Sequence, residues 1–273
     1  NTHVENVDGE FLGLYLNFHT KNLHVENMHG ICRRDYLESG RAMVLNLIHY
    51  EAELGAVGNV VFDSVYVENA SCYSIPSSGS IADKEIWSVF KWSNIGTGNT
   101  LNKATFINVD GTNVIERIAV NEVVYKDSDR MSFNLYNSTN TSDKLPNITI
   151  DNCNIYGDQT TFGTAVFLAR QPLNKLEISN STFYTAICVV GGKSYINKLT
   201  LENVEFKGGL EYAIGRGSYT IKELNMDGVT VFDKSMIYSM SVENTIANNV
   251  RLINTSDDKT KPVYSVFVNS NSA

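Results

Sequence analysis

Proline is nearly missing from this chain, with 4 in 273 residues. So few leave no room for a Pro-rich linker. With 42% hydrophobic and 19% charged residues, the composition is that of an ordered chain. The 4 cysteines, Cys32, Cys72, Cys153 and Cys188, are scattered without CxxC or metal-type spacing, so buried free thiols are expected rather than a disulfide framework. Basic charge is in deficit. The net charge of -8 argues against a nucleic-acid partner, because phosphate binding needs a basic face. No stretch reaches the ~20 apolar residues of a membrane span. No signal peptide is visible at Asn1, which opens inside a repeat, so the chain is expected to be a fragment of a longer one.

What is present is repetition. THVENVDG (Thr2 to Gly9) and LHVENMHG (Leu23 to Gly30) share His-Val-Glu-Asn and a closing Gly at a shift of 21 residues. Later blocks begin at Asn59, Asn102, Asn147, Asn174, Asn197 and Lys222, the last four at intervals of 27, 23 and 25 residues. Each alternates apolar and polar residues, passes Asn, Asp or Ser, and alternates again. Period-2 alternation predicts short strands, and Asn, Asp and Gly supply left-handed turn positions. Leucine-rich or helical repeat patterns are absent, and a propeller blade is longer than these units. A coil of a parallel β-helix fits. Coils stack ~4.8 Å apart, so equivalent residues form columns, aliphatic inside and Asn ladders at turns.

The expected fold is all-β, a right-handed single-stranded parallel β-helix of roughly ten coils. One such domain spans 1–273. Loop excursions lie in its N-terminal half, at Cys32 to Arg41, Ser74 to Trp87 and Tyr136 to Pro146. The blocks NKLEISNSTF, NKLTLENVEF and KELNMDGVTVF resemble the pectate-lyase-like β-helix superfamily over nearly the whole chain. That resemblance implies an extracellular, cell-surface or virion protein, with a polysaccharide or cell-surface glycan as partner. The expected function is to bind a polysaccharide and, in the enzyme reading, to cleave it as a lyase or glycoside hydrolase. The alternative is a non-enzymatic adhesin or phage tail-spike module, for which a homotrimer is expected.

Three sets of residues are candidates. All 5 histidines, His3, His19, His24, His29 and His49, fall in the first 49 residues, without HxH or HExxH spacing for a metal. Glu5 and Glu26 are one repeat apart, and Glu68 in YVEN holds the same motif place 42 residues after Glu26. Stacked carboxylates repel, and they either raise a pKa or bind a cation. Calcium is common on acidic β-helix faces of the family this chain resembles; no cofactor and no metal ligand is assigned, calcium being the one ion such a face could take. In the third set, Arg170, Lys193 and Arg216 recur at 23 residues. The β-helix uronate lyases are similar in pairing a Lys base with an Arg on neighbouring coils. The resemblance thus implies catalysis by Lys193 and Arg216, with Arg170 contacting substrate. Arg216 is out of register by about two residues, and the family's acidic calcium cluster is not found on the preceding coil. Exposed turn charges are the plainer reading of all three. Trp87 and Trp92, beside an excursion, are candidate sugar platforms. Phe62, Phe106, Phe183, Phe206 and Phe232 are expected to form an interior stack.

Overall fold

A computed structural model of the chain describes residues 12–13, 24, 26, 43–48, 61–71, 73–74, 85–86, 88–92, 100–116, 119–129, 131–136, 145–156, 166–169, 172–190, 195–207, 212–215, 217, 219–238, 240–255 and 266–268. Every element among them is a strand. The chain divides into two compact units, Asn1–Lys144 and Leu145–Ala273. Each is a stack of parallel β-coils.

In the second unit, five strands pair in parallel, each with the next: Asn147–Asp151, Leu173–Ser179, Tyr195–Glu202, Thr220–Asp227 and Ser241–Asn248. Alternation fixes which face turns inward. Ile148, Leu176, Leu199 and Leu224 line up in one column; Ile150, Ile178, Leu201 and Met226 form a second. None of the eight is more than 3% exposed. A shorter sheet follows round the corner of each coil, with Ile155, Phe183, Phe206 and Val231 in register and fully buried. The Phe183 and Phe206 rings stack 4.9 Å apart. The third sheet, which includes Ile187–Val190, Tyr212–Gly215 and Ser235–Tyr238, is apolar on both faces. Neighbours such as Ile187, Cys188 and Val189 are all 0% exposed. A strand covered on both sides reads as a continuous apolar run rather than an alternation. Cys153 and Cys188 are buried free thiols, as expected.

The first unit repeats the design. Val65–Ser71, Thr100–Glu116 and Ala119–Lys126 pair in parallel, giving the columns Val65–Ala104–Val123 and Val67–Phe106–Tyr125. The Phe106 and Tyr125 rings stack at 4.8 Å. Tyr73–Ser74 and Glu85–Ile86 pair antiparallel, closing the ends of the Ser74 to Trp87 excursion. The five coils of the second unit are fewer than the ten expected of the chain. Much of the first unit lies outside the described residues.

The corners explain the asparagines. Asn152, Asn180, Asn203 and Asn249 each take a left-handed φ between 49° and 52° at the end of a long-sheet strand, and Gly228 takes 66° at the equivalent place. Asn69, Asn108 and Asp127 do the same in the first unit, with φ from 52° to 54°. Asn tolerates this region where other L-residues do not. The side chains then bond along the stack. Asn180 Nδ2 donates to Asp151 Oδ1 at 3.0 Å, and Asn203 Nδ2 donates to Asn180 Oδ1 at 3.3 Å. A parallel ladder joins Asn147, Asn174 and Asn197 at 2.8 and 3.4 Å. In the first unit, Asp63, Asn102 and Asn121 are joined at 2.8 Å per step. Replacing Asn180 with Ala is expected to cost about 2–3 kcal/mol in denaturant unfolding: ~1–2 for the backbone and ~1 for the amide bonds. Asn180→Gly keeps the backbone and should lose only the second part.

One core expectation is corrected. Phe106, Phe183 and Phe206 are interior, but Phe232 is half-buried and faces outward, because Val231 pairs with Phe206. The Phe62 side chain lies outside the described residues.

Candidate functional site

The echo of HVEN (24–27) and YVEN (66–69) converges in the first unit. Val65 and Val67 point inward and are at most 1% exposed. Alternation therefore puts Tyr66 and Glu68 together on the outer face, where the Tyr66 hydroxyl donates to Glu68 Oε2 at 3.0 Å. Asn69 ends the run with φ 54°, accepting at Oδ1 from Asn108 Nδ2 at 2.7 Å. In the other echo, His24 Nε2 lies 3.9 Å from Glu26 Oε1. The two echoes meet edge to face: the His24 and Tyr66 rings are 5.5 Å apart at 89°. His24 thus lies beside Tyr66, the residue that holds its motif place 42 positions later.

The result is one imidazole, one phenol and two carboxylates on an accessible face. The His24 side chain is 46% exposed and that of Glu26 is 35%. Burial, the hydrogen bond to Glu68, and the charges of Glu68 and Glu26 together push the Tyr66 hydroxyl above its ordinary pKa. It stays protonated through neutral pH and keeps donating to Glu68. The two glutamates therefore have different surroundings, phenol for one and imidazole for the other. Such asymmetry is what distinct acid and base roles need.

Most of the other candidates lie outside the described residues: Arg170, Lys193, Arg216, Trp87, Glu5, His3, His19, His29 and His49. The strands that follow the basic set are in register. Leu173, Ile196 and Ile221 stack. Arg170 and Lys193 each precede their stacked residue by three places, and Arg216 precedes its own by five. The Trp92 backbone belongs to the strand Ser88–Trp92 and pairs with Ile48 and Ile115. Among the described residues, no group of three or more His, Cys, Asp or Glu side chains could hold a metal ion. No helix among them is long and apolar enough to cross a membrane.

Two features escaped the sequence reading. Tyr66 was hidden because it stands where His stands in the earlier echoes. An outward aromatic pair, Tyr156 and Tyr184, stacks at 4.3 Å in the second unit; its signal was an aromatic one place after Ile155 and Phe183. No family model, curated protein or solved structure matches the chain.

Proposed function

We propose that the protein is a carbohydrate-recognising β-helix of an extracellular or virion surface, allied to the pectate-lyase-like superfamily. In this reading it binds a polysaccharide and cleaves it at Glu26 and Glu68. The single observation behind it is the paired glutamates, each with its own polar partner, on the outer face of a parallel solenoid. Adjacent coils lie ~4.8 Å apart. In this reading Glu26 and Glu68 sit on neighbouring coils, which would bring their carboxylates near the ~5–5.5 Å separation of a retaining glycosidase. Glu68, which accepts the Tyr66 hydroxyl proton in a hydrogen bond, attacks the anomeric carbon. The bond to the departing sugar oxygen breaks, and that oxygen takes the Glu26 proton. Water then attacks the same carbon and gives its proton to Glu26, which frees Glu68 and releases a sugar of retained configuration.

The test is reducing-end release from a panel of neutral and uronate polysaccharides. Glu26→Gln should lower the rate by about 10²–10⁴-fold and Glu68→Gln by at least as much, with unchanged melting. Wild-type rates in both variants would sink the assignment. An unsaturated, ultraviolet-absorbing product lost in Lys193→Ala would move the chemistry to Lys193 and Arg216. Binding without cleavage leaves the non-enzymatic adhesin or tail-spike reading. That reading is favoured by the unbroken register of the second unit, a stiff surface for docking. A trimer by sedimentation would support it further.

A further inference from the structure

The outer face of the second unit's shorter sheet carries two columns, one on each side of the buried residues Ile155, Phe183, Phe206 and Val231. On one side, Asn154, Thr182, Glu205, Thr230 and Arg251 are in register. On the other, the next residue of each coil gives Tyr156, Tyr184, Lys207, Phe232 and Ile253. Tyr156 and Tyr184 are each 37% exposed, and Ile253 is 38% exposed. The two tyrosine rings are 11° from parallel. Their faces are thus turned on each other along the stack, leaving ring edges and hydroxyls for a ligand. The Lys207 ammonium lies 5.7 Å over the Phe232 ring and 2.5 Å from Glu205 Oε2.

Size and charge select the occupant. Five coils span four steps of ~4.8 Å, and two columns two residues apart stand ~7 Å from each other, so the strip measures ~19 by ~7 Å. Its area, on the order of 130 Å², is far below the ~800 Å² per partner of a stable protein interface. A narrow linear polymer fits where a protein does not. Lys207 and Glu205 neutralise each other, and Arg251 is a single charge at the last coil. The other rows offer only hydroxyl, amide and apolar groups. The whole chain carries -8 and repels a polyanion.

We infer that this strip binds an uncharged, hydroxyl-rich polysaccharide laid along the solenoid axis. The inference rests on the carbohydrate reading and narrows it to neutral glycans. The test is affinity electrophoresis of the intact protein in dextran, mannan, xylan, β-glucan, pectate and alginate. Retardation is expected in at least one neutral polymer and in neither uronate polymer. The Tyr184→Ala, Phe232→Ala double variant should bind about tenfold more weakly, as loss of a hydrogen bond and two apolar contacts implies. Tyr184→Phe should show part of that loss with an unaltered fold, and Arg251→Ala none. Retardation by uronate polymers alone, or neutral binding that survives both tyrosine variants, overturns the inference and leaves the carbohydrate reading standing. Retardation by none of the six overturns both.

Discussion

Phe183→Ala is expected to destabilise the second unit by about 3–5 kcal/mol, the range for emptying a buried aromatic site. Phe183 is fully buried, with Ile155 paired on one side and Phe206 on the other. In a solenoid the neighbouring coils are pinned by their own ladders, so little can collapse into the space left behind. Chemical denaturation should show a lower midpoint with an unchanged slope, since the surface exposed on unfolding is the same. Phe232→Ala is the control. Its ring faces outward beside Lys207, and the cost should stay within about 1 kcal/mol. Equal losses from the two variants would mean that the register is wrong.

The second large effect is at Lys234, which is only 2% exposed. Burial lowers its pKa from 10.5 to about 8, against the opposing pull of Asp233. The folded state thus disfavours the charged form. Below pH 8 both states carry the proton, and the penalty is constant. Between pH 8 and 10.5 the unfolded chain holds a proton the folded one has released, so stability rises with pH. Above 10.5 neither holds it. At 1.36 kcal/mol per unit, the penalty at neutral pH is on the order of 1–3 kcal/mol. Lys234→Met should recover much of it at pH 7 and flatten the rise. Tyr219, buried and raised well above 10.0, acts oppositely at the alkaline end. The unfolded chain loses that proton first, so stability falls above pH 10 in both proteins. A variant as stable as wild type at pH 7, with the same alkaline rise, would show that the lysine is not buried as a cation.

These two residues also mark how far the sequence could be read. The coil was legible because its signals are local: alternation, and Asn at corners such as Asn69 and Asn203 where only a left-handed residue fits. The interior position was also countable. Phe183 and Phe206 each lie nine residues after their block starts, Asn174 and Asn197; nine after Lys222 is Val231, not Phe232. Counting by residue type rather than by phase put the wrong side chain inside. Lys234 gave no warning, since Asp-Lys-Ser reads as an exposed corner. The candidate site was half-legible. Glu26 and Glu68 were matched by motif, but the length of chain between them concealed that the His24 and Tyr66 rings touch. Arg170, Lys193 and Arg216 lie outside the described residues, so their 23-residue spacing stays a reading of the sequence.

The asparagine ladders have one more property. In each, the amide N–H groups point toward the preceding coil: Asn121 to Asn102 to Asp63, Asn203 to Asn180 to Asp151, and Asn249 to Asp227. These three begin on an aspartate, whereas the row Asn147, Asn174 and Asn197 begins on an asparagine. Amide dipoles arranged head to tail add, and a carboxylate at the N–H end is favoured there as it is at the start of a helix. The solenoid is therefore electrically polar along its rows of side chains. An aspartate at Asn203, at the far end of its row, would oppose the same dipoles that Asp151 completes.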